Sequence, residues 1–222
     1  MKTGLAALIV AAAALSANVD AAFVRQAPAV PPSAAGLAQL IQSHYTAVSD
    51  FTADFTHAYK GGLLPQTSVE YGKVKIKKPG RMRWSYVKPE VKEIVADGRL
   101  LYTYIKADRV CYVSDLPAGD SAPTALLFLT GRGDLQRDFK AALPPAQPAS
   151  EWRLQLTPIK KEADFTQLTI GVDPKSLKMI TLESLDADGG KSTFTFANLR
   201  ENTAVPDKEF FFTPPKGCDV IR

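Results

Sequence analysis

Few side chains here are equipped for chemistry: two histidines and two cysteines among 222 residues. His44 lies in a segment with apolar residues at helical spacing, and His57 in one that alternates like a strand. Each therefore reads as a core or boundary residue of its own element rather than as a metal ligand or general base. There is no G-x-S-x-G elbow, no His-rich metal spacing and no C-x-x-C pair, so nucleophilic, zinc and dithiol chemistry lack their parts. Gly189-Gly190-Lys191-Ser192 looks like the end of a phosphate loop. The first glycine of that motif would have to be at Leu185, however, and the flanking segments alternate as strands do, so the run reads as a hairpin turn. Asp186-Ala187-Asp188-Gly189 begins like a calcium loop and lacks its later glycine and glutamate. The reading is a non-enzymatic protein with no cofactor and no metal.

The apolar residues carry more information. Met82, Trp84 and Tyr86 share one strand face, Tyr102 and Tyr104 share another, and Leu126, Leu127, Phe128 and Leu129 are consecutive in what reads as a short helix. A helix apolar on all sides must be buried on both sides or cover something apolar. In a sheet too curved to fill itself, these nine residues line a hydrophobic cavity with the helix as its lid; an ordinary filled core fits the pattern as well. The one dense basic stretch is Lys73, Lys75, Lys77, Lys78, Arg81 and Arg83. Its alternating lysines either steer the protein to anionic headgroups or an acidic partner, or simply form a solvated strand face.

Several elements must position these residues. Residues 1–21 read as a signal peptide: Lys2, an apolar run from Leu5 to Leu15 too short to span a bilayer, and small Ala21 at the cleavage point. No cysteine precedes Cys111, so no lipid-attachment cysteine follows the signal, and the expectation is a soluble, exported monomer. Export and a formal net charge of +4 argue against a nucleic-acid partner. In an exported chain, Cys111 and Cys218 invite a disulfide, which by closing so long a loop adds on the order of 4 kcal/mol in the entropic account. Two unpaired thiols are the alternative, and spacing does not decide between them. Residues 22–32 form a flexible Ala- and Pro-rich leader, and 33–222 a single domain.

Ser33 reads as the N-cap of a helix whose stripe is Leu37, Leu40, Ile41, His44, Tyr45 and Val48. Period-two runs follow from Phe51 to Tyr59, Val69 to Lys77, Met82 to Tyr86, Glu93 to Ala96, Leu100 to Ile105 and Arg109 to Val113. A second helix is expected from Asp134 to Leu143. Strands then resume at Trp152–Thr157, Phe165–Val172, Leu177–Leu185 and Lys191–Phe196, with a short final one at Phe210–Thr213. Asp97-Gly98 and Asp188-Gly189-Gly190 mark tight turns. Short-linked strands with a helix before them and another inserted midway make a largely antiparallel meander.

Four segments together, in order, resemble LolA-type lipoprotein carriers: Phe51-Thr52-Ala53-Asp54-Phe55-Thr56, Lys77-Lys78-Pro79-Gly80-Arg81-Met82-Arg83-Trp84, Val95-Ala96-Asp97-Gly98 with Tyr104 after it, and Phe212-Thr213-Pro214-Pro215-Lys216-Gly217. The resemblance implies a mainly β fold with a helical lid, an unclosed antiparallel β-barrel of about eleven strands, located in the periplasm of a Gram-negative bacterium. It also implies a role: taking lipoproteins from an inner-membrane ABC transporter complex of the LolCDE type and handing them to a LolB-like receptor at the outer membrane. By position, Met82 and Trp84 match cavity-lining residues and Leu126 to Leu129 match the lid. The chain departs at Lys78, where many carriers have an arginine that hydrogen-bonds the lid shut; lysine keeps the charge and loses the planar fork. Two other readings stay open, a LolA-like paralogue carrying another lipid such as a glycolipid, and a lipid-sensing regulatory module on the same fold.

Overall fold

The computed structural model describes residues 30–63, 66–116 and 133–222. Ser33 caps α1 (Ala34–Ala47), its hydroxyl accepting the N–H of Gly36 at 3.2 Å. The buried stripe of α1 is Leu37, Ala38, Ile41 and Tyr45. Leu40, expected on that stripe, sits on its flank and is 42 % exposed.

Six strands follow as a meander: β1 (Asp50–Lys60), β2 (Thr67–Lys77), β3 (Arg81–Lys88), β4 (Lys92–Asp97), β5 (Leu100–Ile105) and β6 (Val110–Asp115). After the one-turn helix α2 (Leu135–Asp138) come β7 (Phe139–Ala142), β8 (Trp152–Pro158), β9 (Gln167–Val172), β10 (Met179–Leu185) and β11 (Lys191–Glu201), then a 3-10 turn (Asp207–Phe210) and β12 (Asp219–Ile221). All twelve form one unclosed sheet in the order β12-β6-β5-β4-β3-β2-β1-β11-β10-β9-β8-β7. The β1–β11 pairing, from Phe51↔Glu201 to Lys60↔Lys191, joins the two meanders into one surface.

Three sequence expectations are corrected. The helix expected over Asp134–Leu143 stops at Asp138, because Phe139–Ala142 has a ladder partner in β8, with Phe139 opposite Pro158 and Ala142 opposite Gln155. Residues 210–213 are not a strand: Phe210 ends the 3-10 turn, and the last strand is β12, which runs parallel to β6. Among the described residues the sheet has twelve strands where about eleven were expected, and every pairing is antiparallel except that of β6 with β12.

The turns behave as their chemistry dictates. Asp97 Oδ1 accepts the N–H of Arg99 and of Leu100, each at 2.8 Å, around Gly98 at φ 101°. Asp186 Oδ1 accepts from Asp188 and Gly190 in the same manner, so the stretch that resembled phosphate and calcium loops is a hairpin turn.

Register assigns the two faces. The inner face, which carries α1, bears Phe51, Ala53 and Phe55 of β1, Val74 and Ile76 of β2, Met82, Trp84 and Tyr86 of β3, and Leu154 and Leu156 of β8, all in one continuous core with Leu37, Ile41 and Tyr45. β3 and β8 stand six places apart in the sheet, which would separate them by about 29 Å if it were flat. Shared packing about one helix therefore requires the sheet to curl around α1. On the outer face, residues 205–218 cover β3 to β6, with Val205 and Phe210 buried along with Val95, Cys111 and Val113.

Candidate functional site

The inner face is an aromatic wall. Trp84 meets Phe55 at 5.2 Å between ring centroids and Phe194 at 5.1 Å, and Phe55 meets Tyr86 edge-on at 4.9 Å. Phe194 lies 12° from coplanar with Phe196, at 6.4 Å. Edge and offset contacts of this kind are the geometries that aromatic rings prefer. Gly72 makes room for the wall: a Cβ there would strike the ring of Phe55 and the carbonyl of Ser85. Met82, Trp84 and Tyr86, the three candidates on one strand face, all lie here and are buried.

α1 lies against the wall and is tied down by a small number of polar contacts. The Tyr45 hydroxyl accepts the N–H of Met179 at 2.8 Å, and burial pushes its pKa above the ordinary tyrosine value. Gln42 Oε1 accepts the N–H of Leu135 at 2.9 Å, and His44 Nε2 meets Glu201 Oε1 at 3.0 Å. Lys78, in the turn after β2, donates from Nζ to the carbonyl of Tyr45. That carbonyl is in the last turn of α1, where helical partners are missing and the helix dipole favours a cation. Burial lowers the pKa of Lys78 from 10.5.

Beyond Phe55 the same face turns polar. His57 stacks on Phe194 at 4.1 Å, with Nδ1 3.0 Å from Glu70 Oε2 and Nε2 2.6 Å from Ser192 Oγ. A carboxylate only accepts, so Nδ1 carries the proton and Ser192 donates to Nε2. Lys92 meets Glu70 Oε1 at 3.1 Å and stands 4.0 Å over the ring of Tyr86. Burial lowers the His57 pKa from 6.5 with Lys92 acting in the same direction, while Glu70 opposes both. The reading of His57 as a core or boundary histidine missed this constellation, since its partners are 13 and 135 positions away and meet through sheet register. The signal available in the sequence was a histidine interrupting the aromatic side of β1.

Tyr102 and Tyr104 do not join the wall. They pair with Val95 and Glu93, whose β3 partners Arg83 and Ser85 alternate with Trp84, so both tyrosines face outward. There they pack on Phe212, at 5.5 and 6.2 Å. The register of β4 decided this, one residue's shift exchanging the faces. Cys111, on the same outer face, is disulfide-bonded to Cys218 with Cα atoms 6.2 Å apart, and the bond fastens the C-terminal segment across β6. Leu126, Leu127, Phe128 and Leu129 lie outside the described residues. Apart from Lys78, the basic stretch faces outward and is matched by acids: Lys75 with Glu209 at 2.5 Å, Lys77 with Asp207 at 2.6 Å, Arg81 with Asp207 at 3.3 Å and Lys73 with Asp54 at 3.2 Å. A stripe so neutralised steers far less than its lysine count suggests.

Comparison with known proteins gives a consistent answer. The profile of the family described as outer membrane lipoprotein carrier protein LolA matches residues 46–213. An outer-membrane lipoprotein carrier protein of Cupriavidus taiwanensis is 34 % identical over 206 residues, covering 91 % of this chain and 93 % of its own. The corresponding protein of Cupriavidus pinatubonensis is 32 % identical over 197 residues, covering 87 % and 91 %. Among solved structures, a conserved protein from Thermus thermophilus aligns with TM-score 0.53 at 13 % identity, over 83 % of this chain and 98 % of its own, a likeness of fold alone.

Proposed function

The chain belongs to the LolA family of outer-membrane lipoprotein carriers, and from that membership we propose that it escorts lipoproteins across the periplasm by holding their acyl chains against the inner face of its sheet. The observation that supports this site is the continuous aromatic and aliphatic wall of Phe55, Met82, Trp84, Tyr86, Phe194 and Phe196, lying under a helix with few polar ties. At about 0.8 kcal/mol per CH₂, an acyl chain of roughly sixteen carbons costs on the order of 12 kcal/mol to leave in water. An escort has to cover most of that area and still release it. Exchange serves both needs: a chain that displaces α1 gains contact with the wall while the wall loses contact with α1, so the net affinity is moderate.

Lys78 is the latch candidate in this scheme, holding the last turn of α1 by a single charged hydrogen bond. A lone ammonium makes a weaker, less directional latch than a guanidinium fork. Loading falls to an inner-membrane ABC transporter complex of the LolCDE type and unloading to a LolB-like receptor, with no enzymatic step by this chain. Native mass spectrometry of protein purified from the periplasm, with lipid extraction from the same sample, tests the reading. Co-purifying triacylated lipoprotein is expected. A co-purifying glycolipid, or an empty protein that also takes no lipoprotein from inner-membrane vesicles, contradicts it.

A further inference from the structure

On four strands the inner face is apolar for a set distance and then turns polar. Its positions run Phe51, Ala53, Phe55, His57 along β1 and Ile76, Val74, Gly72, Glu70 along β2. On β4 they run Ala96, Ile94, Lys92, and on β11 Phe196, Phe194, Ser192. On each strand the change falls within one inward position of His57, and Phe51 to His57 spans about 20 Å of strand. The row is partly covered, with side chains 16 % exposed for His57, 19 % for Glu70 and 26 % for Lys92. Ion pairs in such positions seldom stabilise a fold more than apolar replacements would, so folding alone gives little reason for this one. The row is also rich in donors. An ammonium has three N–H groups, and Glu70 is the hydrogen-bond acceptor that Lys92 meets among the described residues.

We propose that Lys92, oriented by Glu70, forms a subsite for the ester and amide carbonyls that join acyl chains to the head of the cargo. The proposal rests on the carrier reading above. A chain laid along the apolar positions with its methyl end toward α1 brings its carbonyl carbon to this level, where a neutral acceptor meets a donor-rich row that needs no opposite charge. The Ser192–His57–Glu70 order is also that of a hydrolytic relay, but the strand around Ser192 pairs with β1 on one side and β10 on the other. Its backbone N–H groups are committed to the sheet, leaving none to face an oxyanion. The subsite therefore binds the linkage and leaves it intact.

The test compares two lipids with the same chains, ester-linked dipalmitoylglycerol and ether-linked dihexadecylglycerol, displacing a pyrene-labelled alkane from the full protein. Wild type should prefer the ester by about tenfold, the value of one hydrogen bond from a charged donor. The charge-balanced pair Lys92→Met with Glu70→Gln should reduce that preference to about twofold or less. Equal binding of both lipids by wild type, or full preference in the Lys92→Met, Glu70→Gln pair, overturns the subsite and leaves the carrier reading standing. Failure of wild type to bind either lipid overturns the carrier reading, and the subsite with it. Palmitate released by wild type and not by Ser192→Ala overturns the binding-only assignment in favour of hydrolysis.

Discussion

Trp84 touches three aromatic rings from two other strands, so it holds the two meanders together as much as it offers a surface to a ligand. Truncation shows this directly: Trp84→Ala should cost about 3–5 kcal/mol in urea unfolding, the range for a large aromatic removed from a core. Loading defects in that variant are therefore interpretable only beside its stability. His57 gives the residue-scale pH dependence. Its folded pKa lies below the ordinary value of 6.5, so the unfolded chain binds more protons between the two, and stability rises with pH across that window. The contribution is fully present above about 6.5 and lost as pH falls toward the folded pKa. The urea midpoint should thus drop between pH 7.5 and pH 5.5, and the drop should shrink in His57→Gln. An equal drop in both would place the proton-sensitive group elsewhere.

At the scale of elements, α1 is a helix whose apolar stripe is committed to the wall and whose C-terminal end depends on Lys78. Replacing Lys78 with methionine keeps the stem and removes the donor. The expected cost is about 1.5–3 kcal/mol for a hydrogen bond from a charged group, with faster hydrogen exchange in the last turn of α1. Unchanged exchange there would remove Lys78 as a latch. The same end of the sheet is held by Asp50, which stands opposite Lys77 and accepts from the N–H of Thr203 at 2.8 Å, its hydroxyl at 3.0 Å and the N–H of Ala204 at 3.2 Å. Burial would raise its pKa, but these hydrogen bonds win and hold it below the usual aspartate value. Most strands and both tight turns were legible in the sequence, because period-two patterns and Asp-Gly pairs act locally. The failures had non-local causes. Phe139–Ala142 became a strand because β8 supplied a partner, and Tyr102 and Tyr104 went outward because β4 set the register. Glu70, Lys92 and Ser192 looked like ordinary strand residues until the sheet brought them to His57.

On the scale of the whole molecule, one sheet carries two apolar layers with different duties. The outer layer is closed by the C-terminal segment and secured by Cys111–Cys218, which spans 107 positions. Replacing both cysteines with serine should cost about 4–5 kcal/mol on the loop-closure account, leaving wall chemistry unchanged when the protein folds. The inner layer is the one that an acyl chain must reach, and its identity as a lipoprotein carrier surface is the central claim. The most direct measurement mixes the protein with inner-membrane vesicles holding a triacylated lipoprotein, its ABC transporter and ATP, and follows the lipoprotein in the vesicle-free fraction. Appearance there of a one-to-one complex, together with no complex when the same lipoprotein lacks its acyl chains, is the predicted result. Lipoprotein that stays in the membrane, or equal capture of the unacylated form, would contradict it.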